Sequence, residues 1–460
     1  MRVFRFLVFC ATLLGAVTGV QSAPPKPNIL LIVADDLGYA DVGFNGGSTI
    51  RTPNLDRFAS AGVKLTDFRS CPMCSPTRAG LLTGRWPLRF GMMRAVVPPW
   101  STNGLPGSES TLPELLAKAG YDQRGIIGKW HLGHARNEML PPAQGFTSFY
   151  GHYNGAIDYF DHTREGETDW HRNSKTIKEP GYSTDLLGAE AVHFIESAST
   201  TKPWFLYLPF NAPHSPFQAK PEDLEKYKNL QIPDRRAYAA MVDSMDQAIG
   251  KVLGAVDKRS DASNTLVLFF SDNGGISRVG SNSPWRGEKL TVYEGGTRVC
   301  AAIRWQAGGL QGGGSFDGRI GYIDVLPTLL AVAGVKPPGN LDGINFLPAL
   351  KGAAFLPERQ WFSYIHQNQD AHASVHEGPW KLVAHGDFFA DSPAQGPRLE
   401  LYNLRDDPKE SRDLAPANPE TTSRLQRALR EFGKLQQPGG TLYHVGREGF
   451  KAPKDWVVGD

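Results

Sequence analysis

The sequence predicts an α/β fold, a large and mostly parallel mixed sheet between helices, followed by a smaller antiparallel sheet that carries one helix. Three observations predict it. Continuous apolar runs end abruptly in polar residues, helical patterns lie between them, and from about residue 355 the pattern changes to short strands. Residues 28 to 34 (Asn-Ile-Leu-Leu-Ile-Val-Ala) are apolar at consecutive positions, which reads as a strand buried on both faces. This run ends in Asp35-Asp36. The run from Trp204 to Leu208 leads to Asn211 and His214, and the run from Thr265 to Phe270 ends in Ser271-Asp272-Asn273. Between them, helical spacing is present from Asn54 to Ala61, from Leu112 to Ala119 behind Ser110-Thr111, and from Asp234 to Val256. Strands alternating with helices make a parallel sheet, whose ligands sit outside the carboxyl ends of the strands. Asp35, Asp36, His214, Asp272 and Asn273 are therefore expected in one site. Short strands at Trp361 to Ile365, Trp380 to Val383 and Leu399 to Leu404, then a helix near Thr421 to Leu435, form the second sheet. The main domain is expected over residues 23–354 and the smaller α+β one over 355–460.

A chain of 460 residues, 40% hydrophobic, fills a substantial core. Its 49 basic and 47 acidic residues are well mixed and leave a net charge of +2, so no basic stripe of the kind nucleic acid requires is present. Met1-Arg2-Val3-Phe4-Arg5, an apolar run from Phe6 to Val20 and small residues before Ala23 describe a secretory leader cleaved after Ser22. About fifteen apolar residues fall short of the roughly 20 that span a bilayer as a helix, so stable membrane insertion is not expected. Cys71, Cys74 and Cys300 then remain, too few for a disulfide framework, with pairing of Cys71 and Cys300 left open. The chain has no Asn-x-Ser/Thr acceptor, and the expectation is a bacterial protein, secreted or periplasmic.

Asp35-Asp36 and Asp272-Asn273 supply three carboxylates and an amide, hard oxygen donors suited to Ca²⁺ or Mg²⁺, where zinc would want His or Cys. Burying several like charges at the ends of two strands is prohibitive without a cation. The other salient stretch is Cys74-Ser75-Pro76-Thr77-Arg78, continuing to Leu82-Thr83-Gly84-Arg85.

These residues, in order with Gly128-Lys129-Trp130-His131, Ala212-Pro213-His214 and Lys289 before Tyr293-Glu294-Gly295-Gly296, resemble the formylglycine-dependent type I sulfatases, the arylsulfatase family. The resemblance covers most of the chain. It implies an alkaline-phosphatase-like core and one divalent cation, Ca²⁺ before Mg²⁺, held by Asp35, Asp36, Asp272, Asn273 and the formylglycine made from Cys74 by a maturase. It also implies that Arg78 and Lys129 orient the formylglycine diol, that His131 is the base, and that His214 and Lys289 bind sulfate and assist the leaving oxygen. The chemistry requires such a set. A sulfate ester is already anionic, so a cationic field must admit the nucleophile. One diol hydroxyl attacks sulfur to give a covalent sulfo-enzyme, and the second drives its collapse, which a serine could not do.

Residues 146 to 172 are dense in aromatics (Phe149, Tyr150, Tyr153, Tyr159, Phe160, Trp170), a composition that can stack on sugar faces, although packing is the commoner fate of such a cluster. Gly145-Phe146 onward to Asp158-Tyr159-Phe160-Asp161-His162 is similar to the N-acetylgalactosamine-4-sulfatase branch, which implies a sulfated carbohydrate substrate. The alternatives are a phosphodiester or phosphonate monoester hydrolase of the same superfamily and a non-catalytic carbohydrate-binding homologue. Arg286, Glu294 and Arg298 match no catalytic role and are read as scaffold.

Overall fold

The computed structural model describes residues 25–367, 370–386 and 397–458; the expected leader lies outside these residues. Among the described residues, ten strands form one sheet in the spatial order Gly314–Phe316, Val63–Leu65, Ala301–Arg304, Thr265–Ser271, Asn28–Ala34, Trp204–Pro209, Gln123–Lys129, Ser148–His152, His171–Arg172 and Lys175–Thr176. The five central strands, from Thr265–Ser271 to Ser148–His152, are parallel. Antiparallel pairs flank them, so the sheet is mixed at its edges.

The apolar run of Asn28–Ala34 is consecutive because both of its faces are covered. Leu30, Ile32 and Ala34 join one core with the helices Ser183–Ser197 and Pro233–Asp257. Ile29, Leu31 and Val33 join the other with Cys74–Thr83, Leu112–Ala117 and Tyr322–Val332. Thr111 caps Leu112–Ala117 in a capping box, with Glu114 Oε2 accepting from Thr111 N at 2.8 Å.

A second sheet pairs Trp361–Gln367, Asp370–Glu377, Trp380–His385 and Arg398–Asn403 in antiparallel order. The helix Pro419–Gly433 lays Leu425, Leu429 and Phe432 against it. Asp370–Glu377, central in this sheet, is the strand that apolar patterning did not reveal. Cys71 and Cys300 sit in different cores and are free thiols; Cys71 Sγ lies 3.1 Å from the Tyr322 hydroxyl. No described helix is long and apolar enough to cross a membrane.

Candidate active site

The parallel strands end on one side of the sheet, and their ends build the site. Asp272 N bonds Ala34 O at 2.9 Å and Asp35 N bonds Ala212 O at 3.1 Å, which ties the three strand ends together. Asp36, in the left-handed region at φ 65°, accepts from Asn273 Nδ2 at 2.7 Å and from Lys289 Nζ at 2.8 Å. Asp36 N in turn donates to Asp272 Oδ1 at 3.3 Å.

Cys74 is the first residue of a fully buried helix, and Pro76 in its first turn removes no needed hydrogen bond. One turn on, Arg78 donates through Nε (3.1 Å) and Nη2 (2.7 Å) to Asp272 Oδ2 and through Nη1 (3.1 Å) to Lys129 O. Lys129 Nζ bonds Asp35. Ser75 Oγ donates to His131 O at 2.9 Å and accepts from Val97 N at 3.0 Å, fastening the Cys74 turn to the His131 loop.

The two histidines have readable tautomers. A carbonyl only accepts, so His131 Nε2, 3.0 Å from Val97 O, carries the hydrogen and leaves Nδ1 as a buried acceptor without a partner. The same logic puts the hydrogen of His214 on Nδ1, 2.6 Å from Ser215 O, and leaves Nε2 free 3.7 Å from Asp36 Oδ2. Gly155 lies under the His131 ring, where a Cβ would stand 2.4 Å from the imidazole; only glycine fits.

Burial dominates the electrostatics. It pushes the Cys74 thiol up to about 12 against the charges of Lys129 and Lys289, so an unmodified Cys74 is a neutral, poor nucleophile. Burial, with the charges of Lys129 and Arg78, holds His131 well below its usual range, and burial with Lys289 brings His214 down to about 3. Both imidazoles are neutral near pH 7. Burial and the neighbouring Asp35 charge raise Asp272 to about 6 despite Arg78, the signature of crowded carboxylates. Burial works to raise Asp36 as well, yet Lys289 and His214 hold it below the usual carboxylate range.

The donor set fits a divalent cation. Ligand atoms of Asp35, Asp36, Cys74 and His214 all lie within 4.8 Å of one another. Asp35 Oδ1 and Asn273 Oδ1 are buried acceptors with no hydrogen-bond partner, the kind of vacancy in bonding that a hard cation satisfies.

Of the residues singled out in the sequence, Cys74, His131, His214 and Lys289 line a cavity of about 720 Å³, whereas Arg78 and Lys129 lie behind it, wholly buried. Arg78 thus reaches the site through Asp272 and the Lys129 carbonyl. The aromatic stretch is mostly core: Phe149, Tyr150, Tyr153, Tyr159 and Trp170 are buried, and Phe160 alone of those aromatics is exposed. What lines the cavity there is Gly155 to Asp158 and Thr163 to Glu165. Sequence reasoning missed Arg164, Gln367 and Tyr443, which also line it. Glu165-Gly166 between Thr163-Arg164 and Glu167-Thr168 was a readable hairpin turn; Tyr443 carried no signal.

The family profile described as Sulfatase matches residues 27–335, and that of N-sulphoglucosamine sulphohydrolase, C-terminal, matches 285–436. The chain is 36% identical over 430 residues to human N-acetylgalactosamine-6-sulfatase, covering 85% of this chain and 80% of that protein. It is 33% identical to human arylsulfatase A over 473 residues, 92% of this chain and 90% of the relative. The crystal structure of Ps i-CgsB superposes with a TM-score of 0.83 at 33% identity, covering 91% of this chain and 95% of that one. These relatives support the sulfatase family as a whole and do not single out the 4-sulfatase branch. The two curated relatives are human and lend a bacterial origin no support.

Proposed function

The chain belongs to the sulfatase family, and on that premise we propose that it removes sulfate from a sulfated carbohydrate, with formylglycine made from Cys74 as its nucleophile. The observation that carries this reading is the placement of Cys74 on the cavity wall within ligand distance of Asp35, Asp36 and His214. Burial pushes the Cys74 thiol up to about 12, which argues against a thiolate nucleophile at this position. Carbohydrate as the substrate class is supported by a relative named for N-acetylgalactosamine and by Ps i-CgsB, which was also solved in complex with k-i-k-neocarrahexaose. Export through the leader of residues 1–22 is part of the same proposal.

Asp35, Asp36, Asp272 and Asn273 would hold one divalent cation, Ca²⁺ before Mg²⁺. Bound there, it supplies positive charge that polarises the ester. The formylglycine supplies, as its hydrate, one hydroxyl to attack and a second to expel sulfate. The other residues bind and move protons. Lys289 is held protonated by Asp36 and gives the anionic ester a donor. An anion beside the free Nε2 of His214 favours protonation there, making it the acid for the leaving oxygen. His131, its other nitrogen pinned by Val97 O, presents Nδ1 as the base. Arg78 and Lys129 neutralise Asp272 and Asp35 and keep both carboxylates aimed.

The peptide mass at residue 74 and sulfate release from sulfated disaccharides test the reading together. The expected result is a loss of about 18 Da, cysteine to formylglycine, in protein that releases sulfate. Unmodified Cys74 in an active preparation overturns the mechanism. Faster turnover of phosphate diesters or phosphonate monoesters overturns the substrate class.

A further inference from the structure

The wall of the cavity contributed by Arg164, Tyr443 and Gln367 is built of hydrogen-bond donors, and the reaction as described above uses none of them. Arg164 stands on a rigid element. Its hairpin turns through Glu165 and Gly166, both at positive φ (51° and 84°), the pattern of a tight type I′ turn. Asp158 N bonds Thr163 O at 2.9 Å, and from the carboxyl-terminal segment Trp456 Nε1 bonds Arg164 O and Asp455 N bonds Glu167, each at 2.9 Å.

The guanidinium itself is under-used. Among the described residues it donates one hydrogen bond, from Nη2 to the Tyr443 hydroxyl at 3.2 Å, and forms a loose ion pair with Glu165 at 3.6 Å, too long for a hydrogen bond. Its Nε is buried and has no partner. The other carboxylates of the cavity are engaged elsewhere. Asp158 accepts from Phe160 N, Asp161 N and Gln218 Nε2 at 2.9, 2.7 and 2.6 Å, and Glu288 accepts from Ser277 N at 2.6 Å. Tyr443 OH, which accepts from Arg164, keeps its own proton to donate. Gln367 accepts from Val96 N at 3.4 Å through Oε1, which leaves its amide hydrogens. The Nη hydrogens of the planar fork that Tyr443 does not take, with a hydroxyl and an amide beside them, are complementary to an oxyanion.

We infer that Arg164, with Tyr443 and Gln367, recognises a second anionic group of the substrate, a carboxylate or a further sulfate ester, apart from the sulfate that is cleaved. The inference rests on the sulfated-carbohydrate reading and deepens it: the preferred sugar carries two negative groups, one at Cys74 and one at Arg164. A cavity of about 720 Å³ lies within the ~300–1,000 Å³ of small-ligand sites, so one ligand can engage both walls.

The test uses the matured full chain and three disaccharides that share one scissile sulfate: one with no other charge, one with an added carboxylate, one with an added sulfate. Wild-type kcat/KM is expected to favour one of the doubly charged sugars by about 10- to 100-fold, the worth of a charged hydrogen bond, expressed in KM. The sugar that is favoured names the source of the anion. Arg164→Ala brings the ratio to near 1, and Arg164→Lys, keeping charge without the fork, falls between. A wild-type ratio near 1 for both charged sugars overturns the assignment even if Arg164→Ala does not fold, and so does a ratio that survives in a folded Arg164→Ala. If an aryl sulfate is hydrolysed but none of the three sugars is, the carbohydrate reading itself falls, and this assignment with it. If all three are hydrolysed at equal rates, only the role of Arg164 is lost.

Discussion

Two buried clusters of ions stand at either end of one short segment, and they are finished differently. At Lys289 the segment joins Asp35, Asp36 and Asp272, balanced by Arg78, Lys129 and Lys289 itself. At Glu294, five residues on, it joins a second set that seals the seam with the carboxyl-terminal sheet. Glu294 Oε1 accepts from Arg69 Nη1 at 2.7 Å, Lys381 Nζ at 2.9 Å and His376 Nε2 at 3.0 Å, and Lys381 also pairs with Glu410 at 2.7 Å. Burial opposes ionisation of Glu294, but Arg69 and Lys381 hold it well below its usual range. Every carboxylate oxygen of that cluster has a cation or a backbone N–H beside it. In the first cluster Asp35 Oδ1 and Asn273 Oδ1 have neither, and Cys74, His214 and Lys289 of the same site line the cavity. Similar residue types thus make a structural bolt where every carboxylate oxygen has a cation or a backbone N–H beside it, and a candidate binding site where oxygens have neither. The reading of Glu294 as scaffold agrees with its place in the closed cluster.

The largest effects should come from the open cluster and fall on activity alone. Cys74→Ala removes the proposed nucleophile and is expected to lower kcat/KM by about 10⁴-fold or more, with a urea midpoint that moves by less than about 1 kcal/mol equivalent. A Cys74→Ala protein that retains a tenth of the turnover would break the comparison, since the site would then owe nothing to residue 74.

Chelation separates the clusters next. Protein dialysed against a chelator should lose about 10³-fold in activity, as several kcal/mol of charge stabilisation disappears. Restoring Ca²⁺ to about 100 times its Kd should raise stability by about 2.7 kcal/mol in thermal unfolding, and Mg²⁺ less. The gain should vanish in Asp36→Asn and persist in Glu294→Gln; a gain that persists in both places the cation elsewhere.

How far the sequence discloses these clusters depends on what buries them. The strands that end in Asp35-Asp36 and Asp272-Asn273 were legible because a strand covered on both faces must be apolar throughout, and its polar end then stands out. Gln123–Lys129, which delivers Lys129, did not announce itself: its glycines are forced by neighbours, a Cβ on Gly125 meeting Phe194 at 2.7 Å. Asp370–Glu377 escaped for the opposite reason. It is central in its sheet, yet His376 faces an ion cluster, so a buried position carries a polar residue. The residues proposed to hold the cation stand as local pairs in the sequence, whereas the donor wall is assembled over 279 residues, from Arg164 to Tyr443, and no local pattern encodes such a meeting. The aromatic stretch misled in the same sense. Its rings pack inward, and the short side chains between them face the cavity.

Glu294→Gln should act on the closed cluster with a smaller overall effect, and on stability first. It leaves Arg69 and Lys381 buried with too little negative charge, which costs about 3–5 kcal/mol, read as a lower urea midpoint. Activity at a temperature where the variant is folded should fall much less than for Cys74→Ala. A variant with native stability and a Cys74→Ala-like loss of turnover would make Glu294 part of the reaction and dissolve the distinction.

The smallest effect sharpens the comparison through acid. Glu400, on the same seam, accepts from the hydroxyls of Tyr293 and Tyr402, each at 2.6 Å, beside His385. Burial works to raise its carboxyl, but those hydrogen bonds and His385 hold it down at about 2, where an unfolded glutamate titrates near 4.5. A depressed folded value means that the unfolded chain takes up the proton first as pH falls. The contribution is therefore complete above about pH 5 and declines from about 4.5 downward, by about 1 kcal/mol at pH 3.5. Urea midpoints of wild type and Glu400→Gln should differ most at pH 6 and converge toward pH 3.5. Because Tyr293 lies between Lys289 and Glu294, this loss should loosen the segment from its structural end, leaving the Lys289–Asp36 pair the last of its anchors to release. A difference between wild type and variant that grows as pH falls would reverse the sign and show that Glu400 is not ionised in the folded protein.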